Sequence, residues 1–283
     1  MVQRLHGLDA LRGIAALVVA YHHLSYLSGH GGHATIAFLA VDLFFLLSGF
    51  VMARTYEDRL RSGGLTAAGF VALRYRRLFL PMAIGTTLGM VWLIVDGSPF
   101  SARLVSAYAL WLIFLPAPWF NNVFLANVPT WSLLLEMISN ALHGALFARM
   151  SNRLIAVLLL TCSLLTLALL AAGFAQWGKD TISILSCLPR ELSYYLAGIL
   201  VFRRYGDAPF RFANGRWAVW LGALSYPLYA THVPVMGMLI ASGTRPPITM
   251  VAALGFAALV AVVTQLQPLK NSRSASLTTS ARA

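Results

Sequence analysis

LDALRGIAALVVAYHHL, residues 8–24, is an apolar stretch with a basic residue near its start and two histidines near its end. No charged residue lies between Arg12 and His23, which are eleven residues apart. On an α-helix, eleven steps of about 100° bring both side chains to one face, about 16 Å apart along the axis. This is roughly half the ~30 Å hydrocarbon thickness of a bilayer. The stretch therefore predicts a transmembrane helix with Arg12 at one membrane surface and His23 near the midplane.

His23 is the stronger functional candidate of the two histidines. An ionisable side chain near the bilayer midplane is costly, so it indicates a functional site by default. His22 is rotated by about 100° from the shared face and is the weaker candidate.

The composition places the whole chain in a membrane. Of its 283 residues, 59% are hydrophobic and 11% are charged, whereas a soluble domain carries roughly 25% charged residues. The net charge of +12 comes from basic residues between apolar segments, which does not indicate nucleic-acid binding. Cys162 and Cys187 both lie in apolar segments, so neither a structural disulfide nor a cysteine metal site is expected.

Hydropathy predicts an all-α polytopic bundle of about eight crossing helices. One further apolar segment, 101–116, is too short to cross, and an uncharged Pro/Asn-rich run follows it, so a re-entrant or interfacial piece is predicted there. The crossing segments are predicted at 8–28, 34–53, 78–95, 130–148, 154–173, 184–202, 217–240 and 248–266.

The distribution of basic residues predicts the orientation. With a cytoplasmic N-terminus and no crossing at 101–116, 17 of the 21 lysines and arginines lie on the cytoplasmic side. Both termini are therefore predicted to be cytoplasmic. We expect one membrane-embedded domain over 1–270 and a disordered polar tail over 271–283.

Polar residues of several predicted spans lie at similar depth in the outer half of the membrane, estimated at ~1.5 Å per residue. They are His23, Asp42, Glu136, Arg190, Glu191 and His232. The RYRR cluster, 74–77, lies at the opposite face and indicates an anionic ligand entering there. Blander interpretations stay open. In these interpretations Asp42 is an acid at the membrane interface, and Arg190 and Glu191 form a structural pair. The RYRR cluster then fixes the orientation of the chain in the membrane and binds lipid headgroups.

Five motifs follow one another along these segments: residues 8–24, VDLFFLLSGFVM (41–52), RYRR (74–77), PTWSLLLEM (129–137) and LGALSYPLYATH (221–232). In this order they resemble the motifs of the acyltransferase 3 family, integral-membrane O-acyltransferases that modify bacterial carbohydrates. The resemblance runs from Leu8 to about Pro234.

The resemblance implies an enzyme of the bacterial cytoplasmic (inner) membrane. Such an enzyme moves an acyl group, most often acetyl, from acyl-CoA to a hydroxyl of a carbohydrate or glycolipid acceptor. Acyl-CoA is then a co-substrate, and no bound cofactor or metal is expected. The chain departs from the family in length, because only residues 203–216 separate the segment 184–202 from the SYPLY motif. About two helices that the family usually has there are missing.

Within this function, His23 is the candidate general base. A hydroxyl is a poor nucleophile until a base takes its proton, and the unperturbed imidazole pKa of ~6.5 lies near operating pH. Glu136 or Asp42 is expected to orient the imidazole and to stabilise its charged form.

The donor and the acceptor are assigned to different residues. Fork-shaped guanidinium groups suit the phosphates of the donor, which assigns Arg12, Arg74 and Arg77 to acyl-CoA, with Arg76 as a further candidate. Trp131 and Tyr229 are candidates for stacking on a sugar ring, and His232 for binding the acceptor. Membrane lipids are the other expected partners, and the sequence leaves the oligomeric state open.

Other classes of function stay open at this point. Intramembrane His, Asp and Glu also build the proton relays of transporters and exporters, although no internal repeat is visible. A catalytically inactive, shortened family member is a third interpretation. An acyl-serine route through Ser48 or Ser132 is a minor variant of the enzyme hypothesis.

Overall fold

The computed structural model describes residues 4–31, 34–174, 178–213 and 215–280, without side-chain detail for residue 34 and residues 265–280. Within these ranges the chain forms nine α-helices, two single-turn 3-10 helices and no β-strand, which confirms the all-α prediction. The α-helices are α1 His6–Leu27, α2 Ala34–Arg61, α3 Ala67–Val95, α4 Ala102–Leu112, α5 Thr130–Ala145, α6 Asn152–Ala171, α7 Thr181–Tyr205, α8 Arg216–Ala241 and α9 Pro246–Ser280.

Several helices begin at a side chain that accepts a backbone hydrogen bond. Thr66, Ser101 and Ser151 cap α3, α4 and α6 in this way, each accepting from the backbone N–H three residues later. Asp180 caps α7 within a reciprocal capping box. Such caps satisfy N–H groups that have no partner inside the helix, so they define where these apolar segments start.

Each of the eight segments predicted to cross the membrane coincides with a helix, and the short segment 101–116 contains the 11-residue α4. Among the described residues, five helices combine the length and hydropathy needed for crossing: α2, α3, α6, α7 and α9. Helices α1 and α8 have 22 and 26 residues but carry histidines and other polar groups, and α5 has 16 residues. The count of about eight crossings and the cytoplasmic termini stay predictions.

The connection between α7 and α8 is short. It contains a single 3-10 turn, Ala208–Phe210, and no α-helix within its described residues. Helix α9 extends to Ser280. Side chains from residue 265 onward and residues 281–283 lie outside the described part, and the disorder predicted for 271–283 stays a prediction.

Helix α8 carries the last motif and has three helical neighbours. It packs against α1, α3 and α9, while α2 packs mainly against α7. Helix α6 packs on α7 and leaves most of its leucines exposed, as a helix facing lipid does. Helix α5 packs against α3 and α2, and α2 packs against α1, so the motif residues of these helices and of α8 are brought towards a common space.

Glycines let α2 and α7 approach closely. A Cβ atom added at Gly198 of α7 would lie 2.0 Å from the backbone oxygen of Leu46 on α2. Reciprocally, a Cβ atom at Gly49 would lie 2.0 Å from the backbone oxygen of Tyr195. Small residues at such crossings bring helix backbones into van der Waals contact, which drives helix association in membranes.

We predict that Gly198→Ala destabilises the protein and that Gly255→Ala does not. Both positions are in helices, where alanine is intrinsically favoured by ~1 kcal/mol. Only Gly198 faces a backbone, whereas nothing lies within 4 Å of a Cβ at Gly255. In detergent, the melting temperature of Gly198→Ala should fall by about 4 °C or more, and that of Gly255→Ala should hold or rise. Equal melting temperatures for the two variants would contradict the close α2–α7 crossing.

Candidate active site

A cavity of about 100 Å³ lies where α1, α2, α3, α5 and α8 meet. All five sequence motifs contribute side chains to its wall, although they are distant along the chain. Its lining residues are Arg12, Val41, Phe44, Phe45, Ser48, Arg74, Arg77, Leu78, Ser132, Leu133, Glu136, Gly222, Ser225, Tyr226 and Tyr229. Convergence of polar groups in an otherwise apolar cavity is the usual character of a ligand site.

A buried ion pair lies in the wall of this cavity. The Nη2 atom of Arg74 donates to Oε1 of Glu136 at 2.8 Å, and Oγ of Ser48 donates to the same oxygen at 3.1 Å. The Arg74 side chain is 2% exposed. Its Nε and Nη1 groups have no hydrogen-bond partner among the described residues. Arg74 therefore retains buried N–H donors that a ligand can satisfy.

The cavity carries an excess of positive charge. Among its lining residues, Arg12, Arg74 and Arg77 face a single carboxylate, that of Glu136. Arg76 lies between two of these arginines in the sequence, but it is not part of the lining. The helical position therefore distinguishes Arg74 and Arg77 from Arg76, and the cavity suits an anionic group.

Two tyrosines of α8 form another part of the cavity wall. The hydroxyl of Tyr229 lies 2.6 Å from Oγ of Ser132, and its ring makes an edge contact with Phe44 at 5.4 Å between centroids. The hydroxyl of Tyr226 donates to the backbone oxygen of Leu78 on α3. These bonds fix the tyrosines against α3 and α5, so the wall is held by side-chain hydrogen bonds as well as by packing.

His23 lies outside the cavity and is paired with His232. The two rings are 4.9 Å apart between centroids, and Nδ1 of His23 lies 3.0 Å from Nε2 of His232. Tyr229 connects this pair with the cavity, because it lines the cavity and its ring lies 6.1 Å from that of His232. The structure thus has an arginine-lined cavity and a histidine pair, joined through α8.

The carboxylate expected beside His23 is replaced by another histidine. Glu136 contacts Arg74 and Ser48, and Asp42 accepts a hydrogen bond of 2.8 Å from Arg190. An arginine attracts a buried carboxylate more strongly than a neutral imidazole does, which explains why both acids are bound elsewhere. Neither makes a hydrogen bond to His23 within the described contacts.

The other predicted residues divide between the two places. Arg12, Arg74, Arg77, Glu136 and Tyr229 lie at the cavity, and His23 and His232 form the pair. The depth prediction was wrong for Glu136, which binds Arg74 of the RYRR cluster instead of lying at the opposite face from it. Asp42 and Trp131 belong to neither. The Trp131 ring is buried and packs against Gly178, where a Cβ atom would lie 2.3 Å from it. The assigned roles of all these residues stay predictions.

Asn127 is a supporting residue that the sequence interpretation missed. Its Nδ2 group donates to the backbone oxygen of Ala230 at 2.8 Å. That oxygen lacks its helical partner because Pro234, four residues on, has no N–H group. The proline in an otherwise apolar helix was the available signal. Asn127 thereby fixes α8 between Tyr229 and His232.

No group of three or more His, Cys, Asp or Glu side chains that could hold a metal ion occurs in the described part of the chain.

Comparisons with known proteins agree with the motif pattern. The family model described as "Acyltransferase domain" matches residues 5–219, so the SYPLYATH segment lies beyond the match. "Protein 2 in picA locus" of Rhizobium radiobacter is 35% identical, over 59% of this chain and 94% of that protein. "Putative membrane-bound transacylase BcsY" of Komagataeibacter xylinus is 30% identical, over 47% of this chain and 35% of that protein.

No solved structure matches the chain. The family match covers well over half of the residues, and the matched region contains four of the five motifs. The helices long and apolar enough to cross a membrane occur within it and after it. The chain is therefore a multi-pass membrane protein that belongs to the acyltransferase 3 family.

Proposed function

We propose that this chain transfers an acyl group from acyl-CoA to a hydroxyl of a carbohydrate-containing acceptor at the bacterial cytoplasmic membrane. Acetyl is the group expected from the family resemblance. The observation that carries this proposal is the arginine-lined cavity joined through Tyr229 to the His23–His232 pair. It combines a site for an anionic donor with a candidate base, which acyl transfer to an alcohol requires.

The arginines support a phosphate-bearing donor. Arg74 lines the cavity and has two buried N–H groups without partners among the described residues, and Arg12 and Arg77 add positive charge without a further carboxylate in the lining. Guanidinium groups bind phosphate oxygens through paired, charge-assisted hydrogen bonds. At about 100 Å³, the cavity is smaller than the ~300–1,000 Å³ typical of whole-ligand pockets. It would therefore hold one part of acyl-CoA, with the remainder extending beyond it.

His23 is proposed as the general base. Its Nε2 atom takes the proton of the acceptor hydroxyl, and the hydroxyl oxygen bonds to the thioester carbonyl carbon. The carbon–sulfur bond then breaks, and the leaving thiolate takes the proton from Nε2. The products are the ester and free coenzyme A, and His23 returns to its starting state. A positioned base contributes about 10²–10⁴-fold to such a step.

The proposed orientation brings the two substrates from opposite sides. Arg12 and His23 are separated by eleven residues of α1, or about 16 Å along its axis. The arginine end lies with the basic segments that the charge distribution assigns to the cytoplasm. We therefore propose that acyl-CoA enters at the cytoplasmic side, with both termini, and that the acceptor reaches His23 from the other side.

A proton-coupled transporter is the alternative that one specific observation favours. The carboxyl group of Glu191 is fully buried in α7, and both its oxygens lack hydrogen-bond partners among the described residues. Such intramembrane acids occur in proton pathways. A transporter and an inactive family member both predict that no acyl group is transferred, so one assay separates them from the enzyme.

We predict that His23→Ala abolishes transfer of radiolabelled acetyl from acetyl-CoA in membranes that contain the chain. Base-labile label should appear in the carbohydrate fraction with the unmodified protein and fall by at least about 100-fold with the variant. His30→Ala is the matched control, because His30 is exposed beyond the end of α1 and should leave labelling unchanged. Normal labelling by His23→Ala at equal protein level would exclude His23 as the base. Absence of label with the unmodified, folded protein would contradict the enzyme itself.

The RYRR cluster provides an internal control for donor binding. Lysine keeps the charge of arginine but loses its fork, so Arg74→Lys and Arg77→Lys should each raise the apparent KM for acetyl-CoA by about tenfold. Arg76→Lys should stay within about twofold, because Arg76 does not line the cavity. Equal KM values for all three variants would contradict phosphate recognition by the cavity.

A further inference from the structure

We propose that His232 is the positioning residue of His23, in the place that the carboxylate holds in a Ser-His-Asp triad. His232 fixes the tautomer of His23 and stabilises the charged ring that forms during transfer. This inference rests on the proposed function of His23 as the base. It reassigns His232 from acceptor binding, and it follows from hydrogen-bond geometry.

The backbone of α8 determines which nitrogen of His232 carries the proton. Its Nδ1 atom lies 2.9 Å from the oxygen of Leu228 and 3.0 Å from the oxygen of Tyr229. Carbonyl oxygens only accept hydrogen bonds, so Nδ1 of His232 must be the donor. In a neutral imidazole the other nitrogen is then an acceptor. Nε2 of His232 therefore presents a lone pair towards His23.

The protonated nitrogen of His23 follows in the same way from its hydrogen-bond partners. Its Nδ1 atom lies 3.0 Å from Nε2 of His232 and 3.0 Å from the backbone oxygen of Val19. Both neighbours are acceptors, so Nδ1 of His23 carries the proton. The remaining nitrogen, Nε2, keeps its lone pair and makes no hydrogen bond to any described residue. It is the atom that a general base needs in this state.

The pair also stabilises the transfer step. When Nε2 of His23 takes the acceptor proton, the ring becomes positively charged, and its Nδ1–H still donates to His232. A hydrogen bond strengthens when its donor becomes charged, so the contact favours the charged state over the resting state. The bond is kept while the oxygen–carbon bond forms and until the thiolate removes the proton from Nε2.

The membrane setting explains a neutral partner. A carboxylate beside His23 would be a buried charge in the resting enzyme, and in an apolar interior it would need its own counter-charge. Asp42 and Glu136 are each bound to an arginine in this way. His232 is fully buried and adds no charge in the resting state that the geometry assigns. Asn127 and the backbone oxygens of α8 hold the segment that carries it.

The kinetic test compares His232→Leu with His232→Gln. Leucine removes the acceptor, whereas the amide oxygen of glutamine can accept from Nδ1 of His23. We expect kcat of His232→Leu to fall about 10- to 100-fold, as loss of a hydrogen bond to a charged group does, with the KM for acetyl-CoA unchanged within about twofold. His232→Gln should recover most of this loss. A kcat for His232→Leu near that of the unmodified protein, or no recovery with glutamine, would overturn the proposal.

A second measurement does not depend on activity. In protein labelled with ¹⁵N-histidine, NMR should show both His23 and His232 as neutral Nδ1–H tautomers, with signals assigned by their loss in His23→Asn and His232→Leu. The Nε2–H tautomer at either position would overturn the proposal. If the tautomers are as expected but unmodified protein transfers no acetyl group, the histidine pairing stands and the proposed function fails. If transfer occurs with the other tautomer, the function stands and the positioning role fails.

Discussion

The ion pair between Arg74 and Glu136 places two opposite charges between apolar helices, where either charge alone would be strongly unfavourable. The pair requires α3 and α5 to meet at one depth, and the hydrogen bond from Ser48 adds α2 to the same point. The hydroxyl groups and arginines of the cavity are arranged around it. A fully packed apolar contact would hold the helices as well, but it would leave no space and no charge for a ligand.

Helix α8 connects this cavity with the two histidines. Tyr229 lines the cavity and adjoins His232, and His232 contacts His23 on α1. Prolines within α8 leave carbonyl oxygens without their helical partners, and Asn127 satisfies one of them. A short stretch of one helix therefore separates the proposed donor site from the proposed base. The separation suits a reaction whose two substrates differ in charge and reach the site from different sides of the membrane.

The all-α fold and the positions of its helices could be predicted from the sequence. Apolar segments of about 20 residues must become helices in a membrane, because their backbone groups have no water to bond. Five of the residues singled out in the sequence, Arg12, Arg74, Arg77, Glu136 and Tyr229, are among those that line the cavity. The depth estimate placed Glu136 and Asp42 near His23. In the structure both carboxylates bind arginines, and His23 contacts His232.

What the sequence determined by itself was periodicity, hydropathy and charge, and these depend only on neighbouring residues along the chain. They established the helices and the polar residues buried among them. The structure, not the sequence, separated Arg76 from Arg74 and Arg77. Only the tertiary structure decided the partners: Glu136 with Arg74, Asp42 with Arg190, and His23 with His232. Depth along a helix does not specify its rotation or its neighbours. A buried charge binds the nearest opposite charge, and that choice depends on how the helices pack.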